Sequence, residues 1–372
     1  MPQHPSVQNP TPKSSHNRPG DASDCLDRRP RTRHAADMAR YDFASDNTAG
    51  AAPEAMDALV KANAGFTSGY GSDVVTARAA DLVRELLDAD ADVRFTASGT
   101  ASNAVSLAAL CRPFEAVIAH EHAHVCTDET GAPGFFGHGL GLIGLKGASG
   151  KLDHSSLDAP LAAPDVSYRQ SPAALSLTNA TEYGTVYSQA QIGALTKAAK
   201  AKGLGTHLDG ARLANAAAAG FDLKAIKHLD VDILIVGGTK AGMPPTEAVV
   251  LFDKSLSRRF DARLKQSGQL PSKGRFLTAP WIGMLESGAF IERAGHANAM
   301  ARRLAALMPF KVRHPVEANA VFVEMDDGPL DRLRQAGWFV YRFTDGTVRF
   351  MCSWATTPEA VDEIGAALKA VS

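Results

Sequence analysis

The sequence predicts an α/β fold: a largely parallel sheet layered with helices, followed by a smaller α+β domain. Three observations carry this. Short apolar runs alternate with stretches of helical spacing from Pro53 onward. The run Val231 to Val236, VDILIV, is continuously apolar and rich in β-branched residues, as a buried strand is. Beyond the Gly268 to Gly274 loop the pattern changes to one long helical stretch, then short strands and further helices.

Residues 1–37 stand apart. They hold no aromatic residue, many prolines and many charges, too little apolar surface to offset the entropy of ordering, and are expected to be a disordered extension. The cluster Arg28 to Arg33 follows aspartates and reads as a solvated tail. Compact sequence begins at Met38, itself a candidate start. The large domain is expected over 38–275. Helices are predicted at Pro53 to Ala62, with proline in the first turn, and at Thr76 to Asp88. Val93 to Ala97 is a strand and Ala101 to Leu110 a helix. Strands follow at Ala116 to Ala119 and Ala174 to Thr178, then a helix from Gln189 to Lys202. Further strands are expected at Thr206 to Leu208, Val231 to Val236 and Glu247 to Phe252. The smaller domain, 276–372, should hold a helix over about Ile282 to Leu307. Its strands are Ala318 to Glu324, Phe339 to Phe343 and Val348 to Cys352, and its further helices Asp331 to Ala336 and Pro358 to Val371.

A net charge of -1 gives no electrostatic case for nucleic acid or a membrane surface. No apolar run reaches the roughly 18 residues that a membrane span needs. The four cysteines are scattered without a disulfide or CxxC spacing, so a reduced, cytoplasmic protein is expected.

The residues that carry chemistry sit where strands end. Lys240, in GGTKAG, follows the VDILIV strand, at the sheet edge where ligands collect in open α/β folds. A lysine there is either an ordinary solvated side chain or an amine nucleophile that condenses with a carbonyl. Ser98, Gly99 and Thr100 lie between a strand and a helix, as a simple N-cap or an anion site. Asp209, in THLDGAR, either caps a helix or faces a heterocyclic nitrogen. Arg212, three residues on, can grip a carboxylate with two nitrogens. The cluster HEHAH, His120 to His124, would place three imidazoles on one face if the strand continued through it. That suits a zinc site completed by His207 and Asp209, or one imidazole stacked on a flat ring. GLGLIG, Gly139 to Gly144, matches a dinucleotide fingerprint in letters but lacks a preceding strand and a following helix. Tyr70, in YGSD, precedes a helix in an ordinary turn. Arg349 lies among apolar neighbours and needs an anionic partner. Together these make an anion site, a flat-ring histidine, an aspartate for a ring nitrogen, a lysine nucleophile and arginines for a carboxylate. An enzyme using pyridoxal phosphate on an amino acid requires that set.

The set and its order resemble the L-threonine aldolase and β-eliminating lyase family, of aspartate-aminotransferase-like fold. The resemblance runs from about Phe43 to Thr357. FASDNTAG, YGSD, ASGTASNA, HVCTDETGAP, LSLTNATEYG, HLDGARLANA, GGTKAG and VRFMCSWATT carry it. It implies a fold-type I pyridoxal-phosphate enzyme whose large domain has a mostly parallel, seven-stranded mixed sheet flanked by helices, with a smaller C-terminal α+β domain. By resemblance Lys240 tethers the cofactor, Asp209 faces the pyridine nitrogen and His124 stacks on the ring. Ser98, Gly99 and Thr100 hold the phosphate, and Asn179 lies near the ring hydroxyl. Ser45, Arg212 and Arg349 contact the substrate carboxylate. Tyr70 serves the active site, often of a neighbouring subunit, and Lys265 and Lys273 lie near the phosphate or the interface. The assembly is a homotetramer, a dimer of dimers. No metal is implied.

One position departs from the family. A histidine near the substrate's β-hydroxyl is usual about eleven residues before Asn179, and here Tyr168 stands there. His124, a water or Tyr168 must then take its task. The implied reaction is retro-aldol cleavage of an L-β-hydroxy-α-amino acid, of the threonine or allo-threonine type, to glycine and an aldehyde. The rival readings are β-elimination, cleavage of phenylserine- or 3-hydroxyaspartate-type substrates, a zinc hydrolase built on HEHAH, and a binding protein that keeps the cofactor without turnover.

Overall fold

Seven strands build the main sheet of the computed structural model, which describes residues 39–372. The expected extension over 1–37 and the candidate start at Met38 lie outside the described residues. In chain order the strands are β1 (Asp92–Thr96), β2 (Glu115–His120), β3 (Gly141–Leu145), β4 (Ser171–Thr178), β5 (Gly205–Gly210), β6 (Ile233–Gly237) and β7 (Glu247–Leu251). Across the sheet they run β1-β7-β6-β5-β4-β2-β3. β7 is antiparallel to both its neighbours, and the other pairings are parallel. Every residue of β6 and β7 is buried, which is why these strands read as continuous rather than alternating apolar runs.

Helices cover the sheet: α1 (Pro53–Ala62), α2 (Val74–Leu87), α3 (Gly99–Leu110), the short α4 (His124–Thr127) and α5 (Ala132–Phe136), α6 (His154–Ala162), α7 (Gln189–Lys200), α8 (Leu213–Ala218), α9 (Ser257–Gln266), α10 (Arg275–Glu286) and α11 (Ala289–Leu307). Local chemistry sets their starts. Pro53 fixes the first turn of α1. Asp73 Oδ1 accepts the Thr76 N–H at 2.9 Å to cap α2. Ser188 and Gln191 form a reciprocal capping box on α7. The single helix expected over 282–307 is two, α10 and α11, because Gly288 turns left-handed at φ 77° between them.

β3 is the strand that the periodicity missed. GLGLIG supplies it, and its glycines leave little side chain to pack, so the usual strand signal is thin. At the ends of β5 and β6, Gly210 and Gly237 are required. A Cβ on Gly237 would sit 2.2 Å from the Ala211 carbonyl oxygen, and one on Gly210 2.2 Å from that of Ile235. The ends of β5 and β6 approach this closely only with glycine at both positions.

The second sheet is antiparallel: β8 (Ala320–Val323), β9 (Tyr341–Arg342) and β10 (Val348–Met351), in the order β8-β10-β9. α11, α12 (Asp327–Gln335) and α13 (Pro358–Val371) pack beside it. The N-terminal segment crosses to this sheet. Arg40 bridges to Trp338, and the Met351 N–H donates to the Phe43 carbonyl at 2.9 Å. Phe43 is buried in the core of the C-terminal part, and α10 packs on α1 and α2. The first described residues and the second sheet thereby meet. Among the described residues no helix is long and apolar enough to cross a membrane.

Candidate active site

The parallel strands end along one edge, and the candidate residues collect there. Ser98 to Thr100 follow β1, His124 follows β2, and Asn179 follows β4. Asp209 closes β5, and Lys240 follows β6. Because β7 is antiparallel, its first residue, Glu247, joins the same edge.

Lys240 is half-buried in the 3-10 turn Thr239–Ala241. It lies within electrostatic reach of Asp46, His124 and Glu247. Glu247 Oε2 accepts the Gly238 N–H at 2.8 Å and so braces the turn that carries the lysine. Burial pushes the Glu247 carboxyl up to about 7.

Asp209 is buried, with Oδ1 accepting the Ala211 N–H at 2.9 Å and Oδ2 accepting from Asn103 Nδ2 at 3.0 Å. Asn103 Nδ2 also donates to Glu129 Oε1 at 2.8 Å. The same oxygen lies 2.9 Å from His124 Nδ1. A polar chain therefore runs from His124 through Glu129 and Asn103 to Asp209. The bond to Glu129 raises the His124 pKa above its ordinary value against the effect of burial.

Arg212 was expected to grip a substrate carboxylate with two nitrogens. It grips Asp46 instead, Nε at 2.7 Å and Nη2 at 3.0 Å, with both side chains buried. Asn319 Nδ2 adds a third bond to Asp46 at 3.1 Å. Nη1 remains, 3.9 Å from Glu182. Arg349 donates from Nη2 to the Ala44 carbonyl at 3.2 Å, and its buried Nε has no partner among the described residues. Burial, then the neighbouring Arg212, lowers its pKa, so an anion beside it is favoured. Ser45 Oγ accepts the Asn47 N–H at 3.2 Å, next to Asp46.

Several expected residues are placed differently. Asn179 reaches Asp209 only by its backbone N–H, at 2.9 Å, while its fully buried amide is taken by the Tyr187 backbone. Tyr168 is 88% exposed just before β4 begins, at the end of that strand opposite the site. Tyr70 is exposed, with Lys265 Nζ 4.5 Å from its ring centroid, and Lys273 is exposed nearby. HEHAH does not present one face, because β2 stops at His120 and α4 starts at His124. His120 bonds the Gly147 carbonyl and His122 the Tyr183 hydroxyl. Among the described residues no three His, Cys, Asp or Glu side chains form a group that could hold a metal ion. His207 bonds Ser176, and burial pushes it down to about 4.

Asp46, Asn103, Glu129, Glu182 and Glu247 were not singled out by residue type. All but Glu247 lie inside the segments FASDN, SGTASNA, DETGAP and NATEYG that carried the resemblance, which is the one signal that pointed near them.

The site suits pyridoxal phosphate. Asp209 is a sealed carboxylate able to accept a ring N–H. The position of a Cβ on Gly99, at the N-terminus of the twelve-residue α3, has no atom within 4 Å, which leaves room for an anion against the helix end.

The model of the β-eliminating lyase family matches residues 42–328. A low specificity L-threonine aldolase of Pseudomonas sp. (strain NCIMB 10558) is 44% identical over 341 residues, covering 88% of this chain and 97% of that one. One from Saccharomyces cerevisiae is 24% identical over 298 residues, covering 79% and 76%. Among solved structures, the threonine aldolase of Leishmania major aligns with a TM-score of 0.84 and 30% identity, over 90% of this chain and all of that one. The chain belongs to the β-eliminating lyase family.

Proposed function

We propose that this protein is a pyridoxal-phosphate-dependent aldolase that cleaves L-β-hydroxy-α-amino acids of the threonine and allo-threonine type to glycine and an aldehyde. The observation that carries it is the meeting of Lys240, Asp209, His124 and the α3 N-terminus on one sheet edge. The 44% identity to low specificity L-threonine aldolases supports the substrate class.

When bound, the cofactor supplies the electron sink for the pair left on Cα. Lys240 tethers it, Asp209 holds the proton on its ring nitrogen, and Ser98, Gly99 and Thr100 bind its phosphate. Arg349, with an unpartnered Nε, and Ser45 orient the substrate carboxylate. Arg212 contributes Nη1 only, since Asp46 holds its other two nitrogens. Orienting the carboxylate sets the Cα–Cβ bond for cleavage. His124 takes the β-hydroxyl proton as the aldehyde forms. Asn179 acts through its backbone on Asp209, and Tyr168 has no part.

We infer further a homotetramer, a dimer of dimers, in which Tyr70 serves a neighbouring subunit's site. Its 53% exposure beside Lys265 supports this. The free cysteines Cys111, Cys126 and Cys352 support a cytoplasmic setting. A panel of L- and D-β-hydroxy amino acids tests the activity, with products identified. Glycine plus aldehyde from the L-substrates is expected. Ammonia plus a 2-oxo acid would assign β-elimination instead.

A further inference from the structure

A glutamate outside every expected site is the centre of the buried polar chain. Glu129 lies in the turn between α4 and α5, and its side chain has no exposed surface. Two left-handed residues follow it, Thr130 at φ 48° and Gly131 at φ 75°, and α5 then packs on α3, the helix that carries Asn103. The fold thus fixes Glu129 against its partners from both sides.

Burial, with Asp209 nearby, raises the Glu129 carboxyl above its ordinary range, and the bonds from His124 and Asn103 work against that rise. In its ionised form those bonds assign protons. A carboxylate oxygen only accepts. Asn103 therefore donates to Glu129 Oε1 at 2.8 Å, and His124 donates from Nδ1 at 2.9 Å. The neutral imidazole then carries its proton on Nδ1 and an open lone pair on Nε2. Nε2 makes no hydrogen bond to the described protein, and the imidazole is 28% exposed. Glu129 Oε2 is buried and has no hydrogen-bond partner among the described residues. A sealed carboxylate with a spare oxygen is a costly way to hold two donors that an amide oxygen could hold as well. The negative charge itself has a use.

We propose that Glu129 is a positioning residue, whose carboxylate locks His124 with its proton on Nδ1 and so makes Nε2 the acceptor of the substrate's β-hydroxyl proton. This rests on the reading of His124 as facing the substrate. The proton balance closes within the reaction. The oxygen loses its proton to Nε2 and becomes the aldehyde carbonyl, the Cα–Cβ pair stays on Cα, and one proton returns to Cα to give glycine. The charges facing His124 are Glu129, Glu182 and Asp209, which favour the imidazolium, and Lys240, which opposes it. Glu129 is the strongest of these influences. Removing its charge lowers the His124 pKa and leaves the other three in place.

The test uses full-length protein with Glu129→Gln and Glu129→Asp. Histidine NMR titration of His124, with and without cofactor, reads the lock directly. In Glu129→Gln the titration midpoint should fall by about one unit. The acid limb of kcat/KM on L-threonine should move down with it, while kcat drops roughly 10²-fold. Glu129→Asp should recover part of both, and thermal unfolding identifies a variant that is merely destabilised. An unchanged His124 titration in a folded Glu129→Gln protein overturns the proposal. A normal pH profile with kcat reduced only in proportion to lost stability overturns it too. Should the wild-type protein release no glycine from L-threonine, the functional reading fails instead, and the NMR result still decides whether Glu129 controls the imidazole.

Discussion

Asp46 and Arg212 form a buried two-point ion pair across 166 residues of chain, Nε to Oδ2 at 2.7 Å and Nη2 to Oδ1 at 3.0 Å. It joins the N-terminal segment to the end of β5, and Asn319 and Met351 bring the second sheet to the same point. Burial opposes ionisation of Asp46, but Arg212 outweighs it and keeps the carboxyl below its ordinary range.

Asp46→Ala should therefore act on stability and substrate binding together. It strands a buried guanidinium, at a cost of about 3–5 kcal/mol in stability. KM for L-threonine should rise, because Arg212 loses its fixed direction. Denaturant unfolding and steady-state kinetics check both. The wild-type pair's contribution is present above the carboxyl's ordinary pKa and fades as pH falls through its lowered folded value.

Tyr168→Phe should leave kcat/KM for L-threonine within about twofold of wild type, as surface substitutions generally do. Tyr168 is exposed at the end of β4 opposite the candidate site, so neither its hydroxyl nor its ring reaches the site of its own chain. Parallel kinetics of the two proteins measure this.

That residue marks where sequence reasoning stopped working. The end of β6 was legible because a strand buried on both faces is a continuous apolar run, and Lys240 lies just beyond it; β5 and β1 are shorter on apolar residues, and Asp209 and Ser98 were placed by the small polar motifs that end them. The position of Tyr168 came from counting back along a strand, and counting cannot say at which end of that strand a side chain lies. The partners of the site residues were illegible for a related reason. Asp46 and Arg212, or Asn103 and Glu129, meet only once the sheet order and the packing of α3 are set. His120, His122 and His124 read as one face until the strand was seen to stop at His120.

Stability should carry the mark of Glu247. Its folded pKa, about 7, lies above the unfolded value of 4.5, so the folded state holds the extra proton between them. Stability from this group is full at acid pH and is lost as pH rises through about 7. Glu247→Gln, which can still accept the Gly238 N–H, should remove that decline. Unfolding free energies of both proteins from pH 5 to pH 9 test the sign.

Shared sites make a separate prediction. Lys240→Ala and Tyr70→Ala should each be nearly inactive, yet mixed subunits should regain activity. If each site takes Lys240 from one chain and Tyr70 from its neighbour, random pairing restores about a quarter of the sites. Co-refolding equal amounts and assaying glycine release checks this, and no recovery would place Tyr70 outside the partner's site.

The central claim is that Lys240 holds the cofactor. Borohydride reduction of the loaded protein, followed by peptide mass analysis, tests it most directly. The reduced cofactor should be found covalently attached to the peptide that contains Lys240, and Lys240→Ala should show neither the adduct nor the visible absorbance. An adduct on any other lysine, or none in a protein that still cleaves L-threonine, would contradict the account.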